Sequence, residues 1–307
     1  MIATICMNPS FDRTVMVDSL TIGGTNRVRS ARTDVGGKGV NVARVLTRLG
    51  LDALCLGLVG RENGDAFLKL LEEERIRSRF LRMPGSVRTN TKVVSLSGLP
   101  VTELNEPGPA APQEDVAAFM ALAARETAGA AWCVLTGSLP GGCDAACYRD
   151  LMRCMPRVRC MLDVSGEALL MGLEAHPFLV KPNQDELRQT LGRPMESHQA
   201  IAEGARELIR CGAGNVLVSM GGEGAMLVTP ERVLYAPSVP VEVHSTVGAG
   251  DAMVGGLLYG LQKTESLEEA LRYGVAAGTA SVMTEGTQLI RPGDFEALLP
   301  RVQIQEE

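Results

Sequence analysis

A carboxylate that directly follows three tiny residues is the most chemically suggestive stretch of this chain. It is Gly248-Ala249-Gly250-Asp251, preceded by Ser245-Thr246-Val247 and followed by the apolar run MVGGLLYGL. The run has the length and character of a buried helix. A helix opening at the glycines aims several unpaired backbone N–H groups beyond its N-terminus, and its dipole favours negative charge there. Missing side chains let an anion approach that backbone closely. Asp251, in the first turn, then stands beside the anion, where it can take a proton from an attacking hydroxyl. This combination suits phosphoryl transfer, in which positioning and charge stabilisation do most of the work. The alternative is a glycine-rich turn with an ordinary first-turn aspartate. Two familiar glycine motifs are excluded. No Gly-x-x-x-x-Gly-Lys-Ser/Thr loop occurs, and Met253 stands where the dinucleotide fingerprint needs its third glycine.

Other clusters carry chemistry of the same kind. Lys38 sits among Gly36, Gly37 and Gly39, either a solvated loop charge or a point charge offered to phosphate. Arg88 lies in a polar stretch, and its planar fork suits a bidentate phosphate contact. Asp12 can cap a turn or accept hydrogen bonds from sugar hydroxyls. Asn183 and Glu186 are three residues apart, the spacing of a capping box and also of a pair that could hold Mg²⁺ through water. Ser219 to Gly224, SMGGEG, reads equally as a tight turn and as a backbone that a nucleotide can approach.

The elements that must position these groups follow from the apolar periodicity. Strands are expected over Ile2–Met7, Ala53–Val59, WCVLT, VRCMLDV, FLVKPN and NVLVSM. Helices are expected from about 40 to a stop at Gly50, then over 65–74, 113–127, 144–155, 166–174, 184–191, 198–211, 250–262 and 267–284. Residues 224–243 read as antiparallel strands at one edge. This alternation predicts an α/β fold, a mostly parallel sheet with helices on both faces. Residues 79–105, together with 12–33, are polar and extended, and predict a small separate sheet. The polar clusters at 8–12, 137–138, 181–186 and 219–224 each fall just after a predicted strand. In such a sheet ligands bind outside the carboxyl ends of the strands, so four loops converge on one crevice.

Composition bounds the function classes. The chain has 307 residues, 45% hydrophobic and 21% charged, with a net charge of −6. That is one large core without a nucleic-acid or anionic-membrane partner. The N-terminal MIATICMNPS lacks the form of a signal peptide, and no stretch is long enough to span a membrane. The 8 cysteines include no C-x-x-C pair and are expected to be buried free thiols of a cytoplasmic protein.

Taken together, GGKGVN at 36–41 and TVGAGD at 246–251 resemble the two signatures of the PfkB-type, ribokinase-like carbohydrate kinases. The resemblance extends over the whole chain through NPSFD at 8–12, TGSLP at 136–140, KPNQDE at 181–186 and SMGGEG at 219–224. Arg88-Thr89-Asn90 and TELNEPGP at 102–109 resemble the 1-phosphofructokinase and tagatose-6-phosphate kinase branch, although Val87 departs from its usual threonine.

The resemblance implies a single ribokinase-like domain over 1–307, with a lid formed by approximately 12–33 and 88–104. It implies an ATP- and Mg²⁺-dependent kinase of a sugar phosphate, fructose 1-phosphate or tagatose 6-phosphate. A kinase of an unphosphorylated sugar and a silent sugar-phosphate sensor are the alternatives. Asp251 is implied as the catalytic base, and Gly248, Ala249 and Gly250 as the anion hole. Asn183 and Glu186 match the metal-associated motif. Asp12, Gly37, Asn41 and Asn90 fall to the sugar, and Lys38, Arg88 and Ser138 to its existing phosphate. Lys181, Ser219, Gly221, Gly224, Thr246 and Gly278 fall to the nucleotide. A homodimer with lid against lid is also implied, with Arg27 or Arg29 reaching toward the neighbour's site.

Overall fold

The computed structural model describes residues 1–284 and 288–307. The chain begins with β1 (Ile2–Cys6), buried throughout, as expected of a strand covered on both faces. It leaves the core for β2 (Ser10–Val17) and β3 (Val28–Gly36), then returns as α1 (Lys38–Arg48), whose buried stripe includes Val42, Val45 and Leu46. Next come β4 (Ala53–Gly60), α2 (Gly64–Glu73) and β5 (Ser78–Met83). A second excursion forms β6 (Arg88–Ser95) and β7 (Thr102–Asn105). Helix and strand then alternate through α3 (Gln113–Glu126), β8 (Trp132–Thr136), α4 (Cys147–Arg153), β9 (Arg159–Asp163), α5 (Gly166–Leu173) and β10 (Leu179–Val180). They are followed by α6 (Gln184–Leu191), α7 (His198–Arg210), β11 (Val216–Ser219), β12 (Ala225–Val228) and β13 (Val233–Ala236). The chain ends with α8 (Ala249–Thr264), α9 (Leu267–Val282), α10 (Pro292–Leu298) and β14 (Gln305–Glu306).

These strands make two sheets. The large one has ten strands in the order β14-β13-β12-β11-β10-β9-β8-β1-β4-β5. Its run from β5 to β11 is parallel, and β12, β13 and β14 extend the other edge antiparallel. One face is covered by α3 to α7, with Phe119, Tyr148, Leu169, Leu187 and Ile201 in its core. The opposite face is covered by α1, α8, α9 and α10, with Val45, Leu257, Leu271 and Phe295. Among the described residues, no helix is long and apolar enough to cross a membrane.

The small sheet has four strands, β3-β2-β6-β7, drawn from the two polar excursions. Phe11 of β2 meets Phe67 of α2 edge-on at 5.7 Å, and Phe67 meets Phe80 of β5 at 5.6 Å. This aromatic row joins the two sheets. Residues 78–83 differ from the sequence expectation: they pair with β4 in the large sheet. As the edge strand, β5 keeps Arg79 and Arg82 in solvent, which gives it the polar character of the small-sheet strands. The terminal α10 and β14 were also not anticipated. All 8 cysteines are free, with Cys154 and Cys211 exposed, Cys143 half-buried and the remainder buried.

The glycines inside α8 have a packing reason. A Cβ on Gly255 would lie 2.5 Å from Val45 of α1, and one on Gly256 would lie 2.5 Å from the Tyr273 carbonyl of α9. Close approach of the α8 backbone to the Val45 side chain and to the α9 backbone is thus what seats α8 deep in the molecule, and it carries Asp251 there with it.

Candidate active site

The N-terminus of α8 opens as the sequence predicts. Gly248 takes φ +77° at the cap, and Ala249, Gly250 and Asp251 form the first turn. Lys181, itself 3% exposed, holds its ammonium 3.6 Å from where a Cβ on Gly250 would stand. The Ala249 N–H donates to the Thr246 carbonyl at 3.3 Å, and the remaining N–H groups of the helix opening and a fixed cation converge on one spot suited to an anion.

Asp251 is 6% exposed, and its Oδ2 accepts a hydrogen bond from Asn41 Nδ2 at 2.8 Å. Burial pushes its carboxyl up to about 6, against the pull of Lys38, the Asn41 hydrogen bond and Lys181, and with the help of Asp163. A carboxylate tuned toward neutrality can both accept and return a proton. Asn41, expected at the sugar, has both ends of its amide engaged, since its Oδ1 accepts from Arg44 at 2.7 Å.

The sequence reading missed Asp163. It ends β9, is 1% exposed, and holds both lysines of the site: Lys181 at 3.0 Å from Oδ1 and Lys38 at 3.6 Å from Oδ2. Thr136 also donates to its Oδ2 at 2.8 Å. Burial alone would raise this carboxyl; Lys181 and Lys38 together outweigh burial and hold it below its ordinary value. Asp163 in turn raises Lys38, with Asp251 and Glu186 adding to the effect. The available signal was an acidic residue closing an otherwise apolar strand, VRCMLD, at its carboxyl end.

A polar basin continues from Lys38 toward the small sheet. Lys38 flanks Gly137, whose neighbour Ser138 lies within 3.5 Å of Arg88 Nη2. The Arg88 fork also donates to the carbonyls of Asn8 and Glu106, and its Nε is buried without a partner. Asn8 pins the 107–139 region by donating to the Pro107 carbonyl at 3.0 Å and to Ser138 Oγ at 3.3 Å. Asp12 and Asn90 are register partners across β2 and β6, and Asn90 Nδ2 lies 3.3 Å from Asp12 Oδ1. The Asp12 carboxyl rests against Gly36, where no Cβ fits, and Gly37 takes φ +104° over Cys6 and Pro9. Asp12 with Asn90, Arg88 with Ser138, and Lys38 with Gly137 thus form a linked set of donors and acceptors on the Lys38 side of Asp251, of the kind suited to hydroxyls and an anion.

On the other side of the α8 N-terminus lies a cavity of about 670 Å³, walled by Asn183, Ser219, Gly221, Gly224, Thr246, Ala249, Gly250 and Gly278. Val241, Val243, Val275 and Val282 give it an apolar wall fit for a flat heterocycle. Lys181 stands instead beside Gly250, paired with Asp163, and it is not among the cavity's walls.

The capping box at α6 is fully formed. Asn183 Oδ1 accepts from Glu186 N at 2.7 Å, and Glu186 Oε2 accepts from Asn183 N at 2.8 Å. Among the described residues no group of three His, Cys, Asp or Glu could cage a metal ion. This donor set nevertheless fits Mg²⁺, which binds through one or two carboxylates together with substrate phosphates and water. The half-buried Glu186, whose charge is felt at Lys38, is the carboxylate at the right place.

The buried Asp251 has a consequence for stability. Its carboxyl stands near 6 in the folded protein against 3.8 unfolded, so at pH 7 the folded state bears the cost of a disfavoured charge. Asp251→Asn removes that cost and is expected to stabilise the fold by about 1–3 kcal/mol at pH 7. As pH falls through about 6 the parent takes up a proton in the folded state, and its deficit disappears by about 4. Urea unfolding of both proteins across this window checks the prediction; a mutant no more stable at pH 7 contradicts it.

Residues 6–293 match the model of the pfkB family of carbohydrate kinases. The chain is 39% identical over 306 residues to a 1-phosphofructokinase of Rhodobacter capsulatus, covering 99% of this chain and 97% of that protein. It is 37% identical over 308 residues to a 1-phosphofructokinase of Bacillus subtilis, covering 99% of each. Among solved structures, phosphofructokinase-2 from Escherichia coli in complex with potassium superimposes with a TM-score of 0.93, at 31% identity and 98% coverage of both chains. The glycine-headed α8, the paired loops around Asp251 and the two-sheet architecture are therefore those of a phosphotransferase with an alcohol acceptor, and the chain belongs to the pfkB family of carbohydrate kinases.

Proposed function

We propose that this chain transfers the γ-phosphoryl group of ATP to the free C6 hydroxyl of fructose 1-phosphate, giving fructose 1,6-bisphosphate. The observation that carries the proposal is Asp251: a buried carboxylate tuned to about 6, at the mouth of a helix N-terminus that also faces Lys181. In this reading the adenine lies in the apolar-walled cavity along Ser219, Gly221, Gly224, Thr246 and Gly278. The phosphates run toward Gly248, Ala249 and Gly250, whose N–H groups receive the transferred group. Asp251 takes the proton from the sugar hydroxyl as it attacks, and Lys38 and Lys181, fixed by Asp163, hold the charge that develops between donor and acceptor. Mg²⁺, when bound near Glu186 and Asn183, neutralises phosphate charge on the nucleotide.

The phosphorylated acceptor is supported by the basin of Arg88, Ser138 and Lys38, and by the names of the relatives. Arg88 Nε is a buried donor without a partner, a cost that an anion drawn into the basin can offset. Asp12, Asn90 and the backbone at Gly37 are left for the sugar hydroxyls. The small sheet then acts as a lid over the sugar, excluding water that would compete with the hydroxyl. Such a sheet is marginal on its own, and its outer residues Val28, Leu96, Leu99, Val101 and Leu104 are each more than half exposed. These exposed residues support a lid-to-lid homodimer, with Arg27 or Arg29 directed toward the neighbour's site.

Three measurements follow. Asp251→Asn is expected to lower kcat by about 10²–10⁴-fold with ATP binding retained; more than about a tenth of the parental rate removes the base assignment. Arg88→Ala is expected to raise KM for fructose 1-phosphate by about 10- to 150-fold, the value of a charge-assisted hydrogen bond, while KM for ATP stays put. Arg88→Lys recovers part of this, and plain fructose is a poor substrate for every variant. A preference for the phosphorylated sugar that survives Arg88→Ala moves the phosphate site elsewhere; assaying tagatose 6-phosphate alongside tests the rival substrate. Light scattering at micromolar concentration is expected to return twice the chain mass, and a fully active monomer contradicts the lid pairing.

A further inference from the structure

Behind the base lies a chain of buried polar groups that the transfer reaction does not itself require. Arg44, on α1, is 3% exposed. Its Nη1 donates to Asn41 Oδ1 at 2.7 Å. Its Nη2 donates to the Val35 carbonyl at 2.6 Å and to Glu74 Oε1 at 3.1 Å, and its Nε pairs with Glu74 Oε2. Asn41, one turn earlier on the same helix face, donates from Nδ2 to Asp251 Oδ2 at 2.8 Å.

We propose that Arg44 is a positioning residue for the base: through the Asn41 amide it fixes which oxygen of Asp251 is held and which is left for the sugar hydroxyl, and through Val35 it ties that setting to the root of the lid. The proposal rests on the reading of Asp251 as the base.

The chemistry of the three groups leaves one arrangement. Arginine offers only donors, so the end of the Asn41 amide that faces it must be the carbonyl oxygen. The amide nitrogen is thereby turned to the carboxylate, where it favours the ionised form that can accept a proton. Without the guanidinium, nothing in the pair opposes a flip of the amide, which would set its carbonyl against the carboxylate. Two of Arg44's partners, Glu74 at the end of α2 and Val35 in β3, would satisfy a buried arginine by themselves. The third contact is the one aimed at the active site.

Val35 gives this contact a second meaning. It is fully buried at the end of β3, one residue before Gly36, against which the Asp12 carboxyl rests. One guanidinium therefore joins the strand that carries the lid, the helix that carries Asn41 and Lys38, and the base. The charged groups that face Asp251 from other elements are Lys38, Lys181 and Asp163. Those lining the space around Arg44 are Arg32, Asp34, Arg48 and Glu74. None of the latter four is a member of the Asp251 cluster, so their effects are separable.

The test is the pH dependence of kcat over roughly pH 5–8, with saturating Mg-ATP and fructose 1-phosphate, on four variants of the full chain. Arg44→Lys keeps the charge but puts its donors on one nitrogen, which cannot span the Asn41, Val35 and Glu74 positions that the planar fork reaches. It is expected to lower kcat by about 10- to 100-fold with KM for ATP within about threefold, and to move the acid limb of kcat to higher pH, because the base loses its oriented donor. Asn41→Ala is expected to move the limb in the same direction. Glu74→Gln, which weakens the ion pair and leaves the Arg44–Asn41 bond, is expected to lower Tm with the limb in place. An Arg44→Lys limb that coincides with the parent's, while the Asn41→Ala limb has moved, overturns the proposal and leaves Arg44 as a buried structural pair. If Arg44→Lys does not fold, an unmoved limb in Asn41→Ala overturns it equally, and a moved one supports it. Asp251→Asn retaining more than about a tenth of the parental kcat sinks the underlying reading instead, whatever Arg44 does.

Discussion

Two carboxylates and a lysine placed almost out of water, with a second, half-buried lysine beside them, set the terms for the rest of this molecule. Asp163 and Lys181 are 1% and 3% exposed and 3.0 Å apart, with Lys38 on the second oxygen of Asp163. Buried charges of this kind are tolerated only where each has a partner and a rigid setting. The large sheet supplies the setting. Asp163 ends β9, Thr136 ends β8 beside it, and Lys181 directly follows β10, so three neighbouring parallel strands deliver the cluster at one edge of the crevice.

Asp251 is bound by the same constraint and resolves it differently. It has no ion partner within bridging distance among the described residues, only the Asn41 amide, and its carboxyl rises to about 6. The helix that carries it cannot retreat toward solvent, because Gly255 and Gly256 lock it against α1 and α9. A stability cost is thus held at one carboxylate of the candidate site, which is the usual trade between fold and chemistry.

The small sheet follows a looser logic. Its inner surface carries the polar groups of Asp12, Asn90 and Arg88, and its outer surface exposes aliphatic side chains that its own strands do not cover. The aromatic row Phe11–Phe67–Phe80, the buried cluster around Val35 and Val87, and the Arg44 bond to Val35 fix it to the body.

What the sequence determined by itself was everything encoded within a few neighbouring residues. The apolar strand runs, the helix stripes, the glycine opening of α8 and the Asn183–Glu186 cap depend on local periodicity and local hydrogen bonds and are found where the sequence placed them. The strand expected over FLVKPN nevertheless shrinks to Leu179–Val180, and the helix expected over 144–155 to Cys147–Arg153. The two signatures were legible for the same reason: an anion site at a helix N-terminus is built from consecutive backbone groups. The polarity of residues 78–83 misled because an edge strand and a lid strand look alike until their partners are known. The remainder was decided by tertiary structure. Asn41 and Asp251 are 210 residues apart in the chain, and no local pattern says that one amide will face one carboxylate. Asp163 acquired its partners from lysines that two other segments bring to it, and Asp251 acquired its protonation range from burial. A pKa and a hydrogen-bond direction are properties of the assembled environment, which the fold alone creates.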